Sequence, residues 1–217
     1  MTTPELITLV GMPGCGKSTV ARQLSRQLGL PYTDTDAEIE RRIGMPIRVF
    51  FAAEGEERFR DVEQAVIEEL TRLPGRVPGR APGRLLATGG GAVLRAANRD
   101  ALHGRGHVFY LRATPEDLFR RLRHDTHRPL LQVADPLRKL RELYRERDPL
   151  YRRTAHYIVE STRPSVSALS SMVLMQLELA GLVDPATVPS GIDPLVPRAT
   201  PPSTPPSPPP STPPSAP

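Results

Sequence analysis

Cysteine is almost absent from this 217-residue chain. Cys15 stands alone, which excludes an internal disulfide framework. Long hydrophobic runs are absent too, since no apolar stretch approaches the roughly 18 residues of a membrane-spanning helix. The opening MTTPELITLV has no basic segment ahead of its short apolar run, so it does not read as a signal peptide. A soluble, cytoplasmic protein without a membrane partner is the expectation. Lysine is scarce: Lys17 and Lys139 are the only two, so the net charge of +5 is carried almost wholly by arginine. A basic balance favours anionic partners, and arginine grips carboxylates and phosphates through paired N–H groups. A genomic bias toward arginine gives the same composition without that meaning.

What is present divides the chain unequally. More than half of the 26 prolines lie from Pro185 onward, and PPSTPPSPPPSTPPSAP contains nothing that builds a core. Residues 183–217 therefore read as a disordered tail leaning toward polyproline II. Its PxxP spacings suit an SH3-like groove, although a merely solubilising tail explains them as well. The tail holds Arg198 against Asp184 and Asp193, so the basic excess belongs to residues 1–182, read as one domain. Within that domain PGRVPGRAPGR, residues 74–84, repeats P-G-R every four residues and suits neither helix nor strand. It reads as an expanded surface loop. Its arginines have no aromatic residue among them, a weak sign of nucleic-acid binding.

The remainder alternates strand and helix. LITLV, LPYTDT, RLLAT, HVFYL and HYIVE read as strands. Helices are expected over about Lys17–Leu28, Ala37–Arg42, Glu56–Leu73 and Ser165–Ala180, with a further helical stretch ending in RERDPLYRRTA. This pattern predicts an α/β fold with a five-stranded parallel sheet and helices on both faces. Ligands of such sheets bind beyond the carboxyl ends of the strands.

One motif sits at such an end. Residues 11–18, GMPGCGKS, match G-x-x-x-x-G-K-[ST] between a predicted strand and a predicted helix. Backbone amides turned inward by the glycines, together with the helix N-terminus, form an anion cradle. Gly14, Cys15, Gly16, Lys17, Ser18 and Thr19 are the candidate nucleotide residues, with Lys17 on the β- and γ-phosphates and Ser18 on Mg²⁺. Cys15 reads as a small filler. A helix terminus that lowers its pKa and makes it oxidisable is the sharper alternative.

A phosphate loop alone suits a GTPase, a motor ATPase or a small-molecule kinase. Asp34-Thr35-Asp36 ends the second strand, where residues two apart point the same way. One carboxylate then serves the metal and the other an acceptor hydroxyl; Asp36 as a helix N-cap is the plainer reading. Gly89-Gly90-Gly91 ends the third strand, and a plain turn explains it equally. His124 and His127 lie in the polar segment HDTHRPLLQVA without a third ligand and read as solvated.

Taken together and in order, GMPGCGKST, DTDAEIE, FFAAEGEERFRD, TGGGAV, HRPLL and RDPLYRRTA closely resemble the shikimate kinase family over roughly residues 5–180. The resemblance implies a small P-loop kinase that transfers the γ-phosphate of ATP to the 3-hydroxyl of shikimate, on the route to aromatic amino acids. It implies Mg²⁺ held by Ser18 and, through water, by Asp34. Asp36 is implied to bind the shikimate hydroxyls and to act as base. Arg60 and Arg147 are implied on the shikimate carboxylate, and Gly89, Gly90 and Gly91 against its ring. Arg128, in a lid over about 124–134, is implied on the transferred phosphate, with Arg121 and Arg163 flanking adenine. Arg58 lies close to Arg60, but Arg60 directly follows Phe59 as the family pattern asks. The small molecules shikimate and ATP are the expected partners of a monomer, with no specific nucleic acid. The rivals are another small P-loop kinase, for gluconate or a nucleoside monophosphate, and a nucleotide-dependent nucleic-acid-binding protein.

Overall fold

The computed structural model describes residues 6–72, 83–122, 133–161 and 165–183. The P-G-R loop is covered only at Gly83 and Arg84, the lid only at Val133 and Ala134, and the tail only at Val183. Arg128, Arg163, His124 and His127 lie outside the described residues.

Five strands form one parallel sheet. They are β1 (Leu6–Val10), β2 (Tyr32–Asp34), β3 (Arg84–Ala87), β4 (His107–Arg112) and β5 (Tyr157–Glu160), in the order β2-β3-β1-β4-β5. Central β1 sets Leu9 opposite Ala87 on one side and opposite Phe109 on the other. All five of its residues are buried, as expected of a strand covered on both faces, which reads as a continuous apolar run. Ile7, Leu9, Val10, Leu85, Phe109 and Leu111 have no exposed surface. Each such side chain contributes about 1.5–3 kcal/mol relative to exposure.

Among the described residues, seven helices cover the sheet: α1 (Lys17–Leu28), α2 (Thr35–Ile43), α3 (Ile47–Arg72), α4 (Ala96–Arg105), α5 (Pro115–Leu122), α6 (Pro136–Thr154) and α7 (Val166–Leu179). They pack in two groups. α1 lies on α7, while α3 lies on α2 and α4, and α6 on α4 and α5. Because every strand runs the same way, the loops after β1, β2, β3 and β5 open at one edge of the sheet.

Two boundaries differ from the sequence reading. α2 begins at Thr35, not near Ala37, because the Asp34 side chain caps it by accepting from the Asp36 amide at 3.0 Å. Asp36 therefore lies in the first turn of a helix and does not share a strand face with Asp34. The helical N-cap is Asp34, not Asp36. α3 begins at Ile47, and its interruption at Gly55 (φ 80°, ψ 173°) is what the sequence presents as a helix start. The sequence reading placed no helix at α4 or α5, both of which are short and polar on average.

The opposite edge of the sheet carries a histidine cluster. The His103 and His156 rings stack with centroids 4.1 Å apart and 8° between their planes, and His107 lies 5.9 Å from His156. His156 Nδ1 accepts from the Val108 amide at 3.1 Å, so that nitrogen carries no proton. His103 Nδ1 lies 3.1 Å from the Thr154 carbonyl and so donates to it. Burial pushes His156 below its ordinary pKa, with His103 and His107 adding to the effect, and burial does the same to His107. A depressed histidine pKa means that the unfolded chain takes up its protons first. Stability is full above about pH 6.5 and declines as pH falls below it. The melting temperature of His156→Gln should consequently fall less than that of the unaltered protein between about pH 7.5 and about pH 5.5. Equal losses in the two proteins would show that the stack does not govern acid sensitivity.

Candidate active site

The loop after β1 folds as a cradle. Gly14 (φ 82°) and Gly16 (φ 102°) adopt the left-handed conformation that L side chains avoid, and Gly16 is the N-cap of α1. A Cβ at Gly14 would also lie 2.6 Å from Leu122 of α5, so this position needs glycine twice over. Lys17 opens α1 and is largely buried. Its Nζ donates to the Gly11 carbonyl at 2.8 Å and to the Met12 carbonyl at 3.0 Å. Cys15 has no exposed surface and packs below the loop, which is the filler role. Its carbonyl accepts from Ser161 Oγ at 3.3 Å, and Ser161 in turn accepts two hydrogen bonds from Arg121, through its hydroxyl and its carbonyl. Arg121 is thereby held where the loop meets the end of β5.

The two aspartates of DTD have separate environments. Asp34 Oδ2 accepts from Ser18 Oγ at 2.6 Å and from Tyr32 OH at 3.0 Å, while Oδ1 caps α2. Burial, then the Asp34 charge, raises the Tyr32 phenol above its ordinary value and keeps it a donor. A hydroxyl and a carboxylate in direct contact are the hard oxygen donors that magnesium prefers. Asp36 differs. Burial and the nearby Asp34 charge push its carboxyl up to about 6, against the pull of Lys17. It is the carboxylate poised to share a proton.

Between the aspartates, Thr35 is fully buried and accepts the Gly89 amide on its hydroxyl at 2.9 Å. This bond ties the start of α2 to the turn after β3. A Cβ at Gly89 would strike Asp36 Oδ1, a Cβ at Gly90 would lie 2.7 Å from the Pro13 ring, and a Cβ at Gly91 would strike the Arg60 guanidinium. The phosphate loop, Asp36 and Arg60 thus meet across three residues without side chains.

Two arginines converge on this turn. Arg60, on α3, is 8% exposed, whereas neighbouring Arg58 projects outward to a loose pairing with Asp61 at 3.9 Å. Arg60 donates to Glu63 at 2.6 Å and to Glu56 at 2.8 Å. Burial opposes the Arg60 charge, but Glu63 and Glu56 outweigh it and raise its pKa. Burial likewise pushes up the Glu63 carboxyl, with Arg60 and then Arg147 drawing it back. Arg147, on α6, donates to the Gly90 carbonyl at 3.3 Å, and Tyr151 OH donates to the same oxygen at 2.5 Å. The Nε atoms of Arg60 and Arg147 are both buried without a hydrogen-bond partner among the described residues. Buried donors of that kind are costly unless something accepts from them.

The sequence reading passed over Glu63, Thr35 and Tyr151. Glu63 follows Arg60 by three residues on a helix, a spacing that reads as a surface ion pair, yet it is 1% exposed. Thr35 and Tyr151 lie inside quoted motifs. Their hydroxyls matter through backbone partners that only the fold brings near.

The chain is similar to known proteins of one family. The shikimate kinase family model matches residues 13–178. A shikimate kinase of Paracidovorax citrulli is 54% identical over 86% of this chain and all of that protein. One from Burkholderia thailandensis is 53% identical over 82% of this chain and 92% of that protein. Among solved structures, shikimate kinase from Acinetobacter baumannii in complex with shikimate has a TM-score of 0.74 and 43% identity, covering 84% of this chain and 97% of that one. With match and coverage of this extent, the chain belongs to the shikimate kinase family.

Proposed function

We infer that this protein phosphorylates the 3-hydroxyl of shikimate from ATP, giving shikimate 3-phosphate and ADP, in the synthesis of aromatic amino acids. Family membership supports the activity. In the site, the observation that carries it is the pair of guanidiniums of buried Arg60 and half-buried Arg147. Each has an unsatisfied Nε, and they flank a turn faced by Asp36. An acceptor with one carboxylate and several hydroxyls meets these needs: the arginines take the carboxylate, and Asp36 and the Gly89–Gly91 backbone take the ring.

The same reading assigns the phosphate side. Gly14, Cys15, Gly16, Lys17, Ser18 and Thr19 hold the nucleotide phosphates, and Arg121 lies toward the base. Arg128 and Arg163, outside the described residues, are proposed on the transferred phosphate and on adenine. Ser18 and Asp34 suit Mg²⁺, which when bound neutralises phosphate charge and orients the γ-phosphoryl group. The reacting hydroxyl lies against Asp36, which accepts its hydrogen bond and its proton as the oxygen bonds to phosphorus and the bond to ADP breaks. Lys17 and the loop amides offset the charge on the phosphoryl oxygens. Little else is needed, because phosphoryl transfer depends on positioning and charge stabilisation. No helix among the described residues is long and apolar enough to cross a membrane. A cytoplasmic monomer that binds no specific nucleic acid is part of the proposal.

The direct test is ADP release from Mg-ATP with shikimate, gluconate and a nucleoside monophosphate offered separately. Turnover with shikimate alone is expected; turnover with another acceptor would show the acceptor side misread. Arg60→Ala and Arg147→Ala should each weaken shikimate handling by about 2–5 kcal/mol, the scale for truncating a buried charge pair, with ATP affinity little altered. Equal losses for both substrates would mark either arginine as structural. Asp36 makes a prediction of its own. Its folded pKa lies above that of the unfolded chain, so the charged form costs stability above about pH 6, and the cost fades as pH falls toward about 4. Asp36→Asn should therefore be inactive yet more stable at neutral pH, by ~1–3 kcal/mol, with the gain narrowing in acid. The kcat/KM of the unaltered enzyme should carry an acid limb near about 6. Denaturation of the variant showing no gain at neutral pH would mean that the Asp36 charge is fully compensated.

A further inference from the structure

Tyr151 has no exposed surface, and its ring stacks on Tyr110 with centroids 4.9 Å apart. Packing would be served as well by phenylalanine. The hydroxyl is what packing leaves unexplained. It donates to the Gly90 carbonyl at 2.5 Å, the oxygen that also accepts from Arg147 at 3.3 Å. Arg147 and Tyr151 stand four apart on α6, so the helix presents both on one face. Burial raises the phenol above its ordinary ionisation range, so it remains a donor.

We propose that Tyr151 is a positioning residue for acceptor binding: by satisfying the Gly90 carbonyl, its hydroxyl leaves the Arg147 guanidinium available to the substrate carboxylate. This rests on the reading that Arg147 binds that carboxylate. The physical reason is competition for donors. A carbonyl beside a buried guanidinium draws on it unless another donor is closer. The tyrosine bond is the shorter of the two, so the turn takes little from Arg147. Without the hydroxyl, Gly90 would depend on Arg147, among the described donors, for its hydrogen bond. The guanidinium would then be drawn toward the turn and away from an anionic ligand. The neighbouring pair makes a useful contrast. Tyr110 OH donates to Asp148 at 2.8 Å, and Asp148 also accepts from Arg152 at 2.7 Å. That hydroxyl does not touch the glycine turn.

The test is Tyr151→Phe in the full chain, with KM for shikimate and for Mg-ATP, kcat and melting temperature all measured. Tyr110→Phe serves as the packing control. The shikimate KM should rise about 5- to 10-fold, the scale of one net hydrogen bond, while the ATP KM stays within about 2-fold. The preference for shikimate over its methyl ester, which lacks the carboxylate charge, should shrink as well. That ratio does not depend on the fraction of folded enzyme. In an Arg147→Ala background, Tyr151→Phe should add less than about 2-fold, because coupled residues are not additive. Equal rises in both KM values, full additivity, or the same selectivity loss in Tyr110→Phe would overturn the positioning role. An Arg147→Ala enzyme with normal shikimate KM would instead overturn the placement of the carboxylate. A normal Tyr151→Phe beside an impaired Arg147→Ala would overturn only the tyrosine.

Discussion

The site depends on three residues that have no side chains. Gly89, Gly90 and Gly91 lie against Asp36, Pro13 and Arg60 in turn, and a methyl group at each would collide with one of them. Those three contacts belong to different parts of the molecule: the start of α2, the phosphate loop and α3. Their closeness is a steric matter before it is an electrostatic one. Because the turn follows β3, between β1 and β2 in the sheet, its position is inherited from strand order. The Thr35 hydroxyl on the Gly89 amide and the Tyr151 hydroxyl on the Gly90 carbonyl then secure it from either side.

Electrostatics decides what the two aspartates of one short motif do. Asp34 is saturated: two hydroxyls on one oxygen and a helix amide on the other. Hydrogen bonds of that kind fix the orientation of the carboxylate and suit a place beside a metal. Asp36 is two residues away, in the first turn of α2. There burial, with Asp34 itself as a neighbour, holds its pKa near 6. Two carboxylates with separate environments can divide the work of metal holding and proton handling. The arginines show the complementary pattern. Arg60 is kept charged in a buried place by Glu63 and Glu56, so the cation is prepared for a second anion before one arrives.

Much of this was legible in the sequence, and the illegible part has physical reasons. β1 was legible because a central parallel strand is apolar throughout, and α1 because a glycine loop must precede it. Arg60 was distinguishable from Arg58 only through its motif, since both are arginines on one helix; their burial differs because α3 faces the glycine turn with one and solvent with the other. Glu63 was invisible because the same three-residue spacing serves exposed pairs such as Glu38 with Arg41. The position of Asp36 was misjudged because alternation along a strand was assumed to continue past Asp34, where the capping bond turns the chain into a helix.

The division between legible and illegible follows the division of the chemistry. Nucleotide phosphates are recognised by backbone amides, so their recognition is written in glycine spacing, a local property of sequence. On the proposed reading, the acceptor is recognised by side chains from α2, α3 and α6 meeting one backbone turn, and no local pattern encodes a meeting of distant segments. For that reason the phosphate loop alone left several enzyme classes open, whereas the convergence of Arg60, Arg147 and Asp36 on Gly89–Gly91 suits a small hydroxylated carboxylate. On the proposed reading, specificity rests on unsatisfied donors, the buried Nε atoms of two arginines. Both cations already have carboxylate neighbours, Glu56 and Glu63 for Arg60 and Glu146 for Arg147, so what a neutral polyol would leave unmet is those two donors, at about 1–3 kcal/mol each. Such a ligand would then be disfavoured where shape alone would admit it.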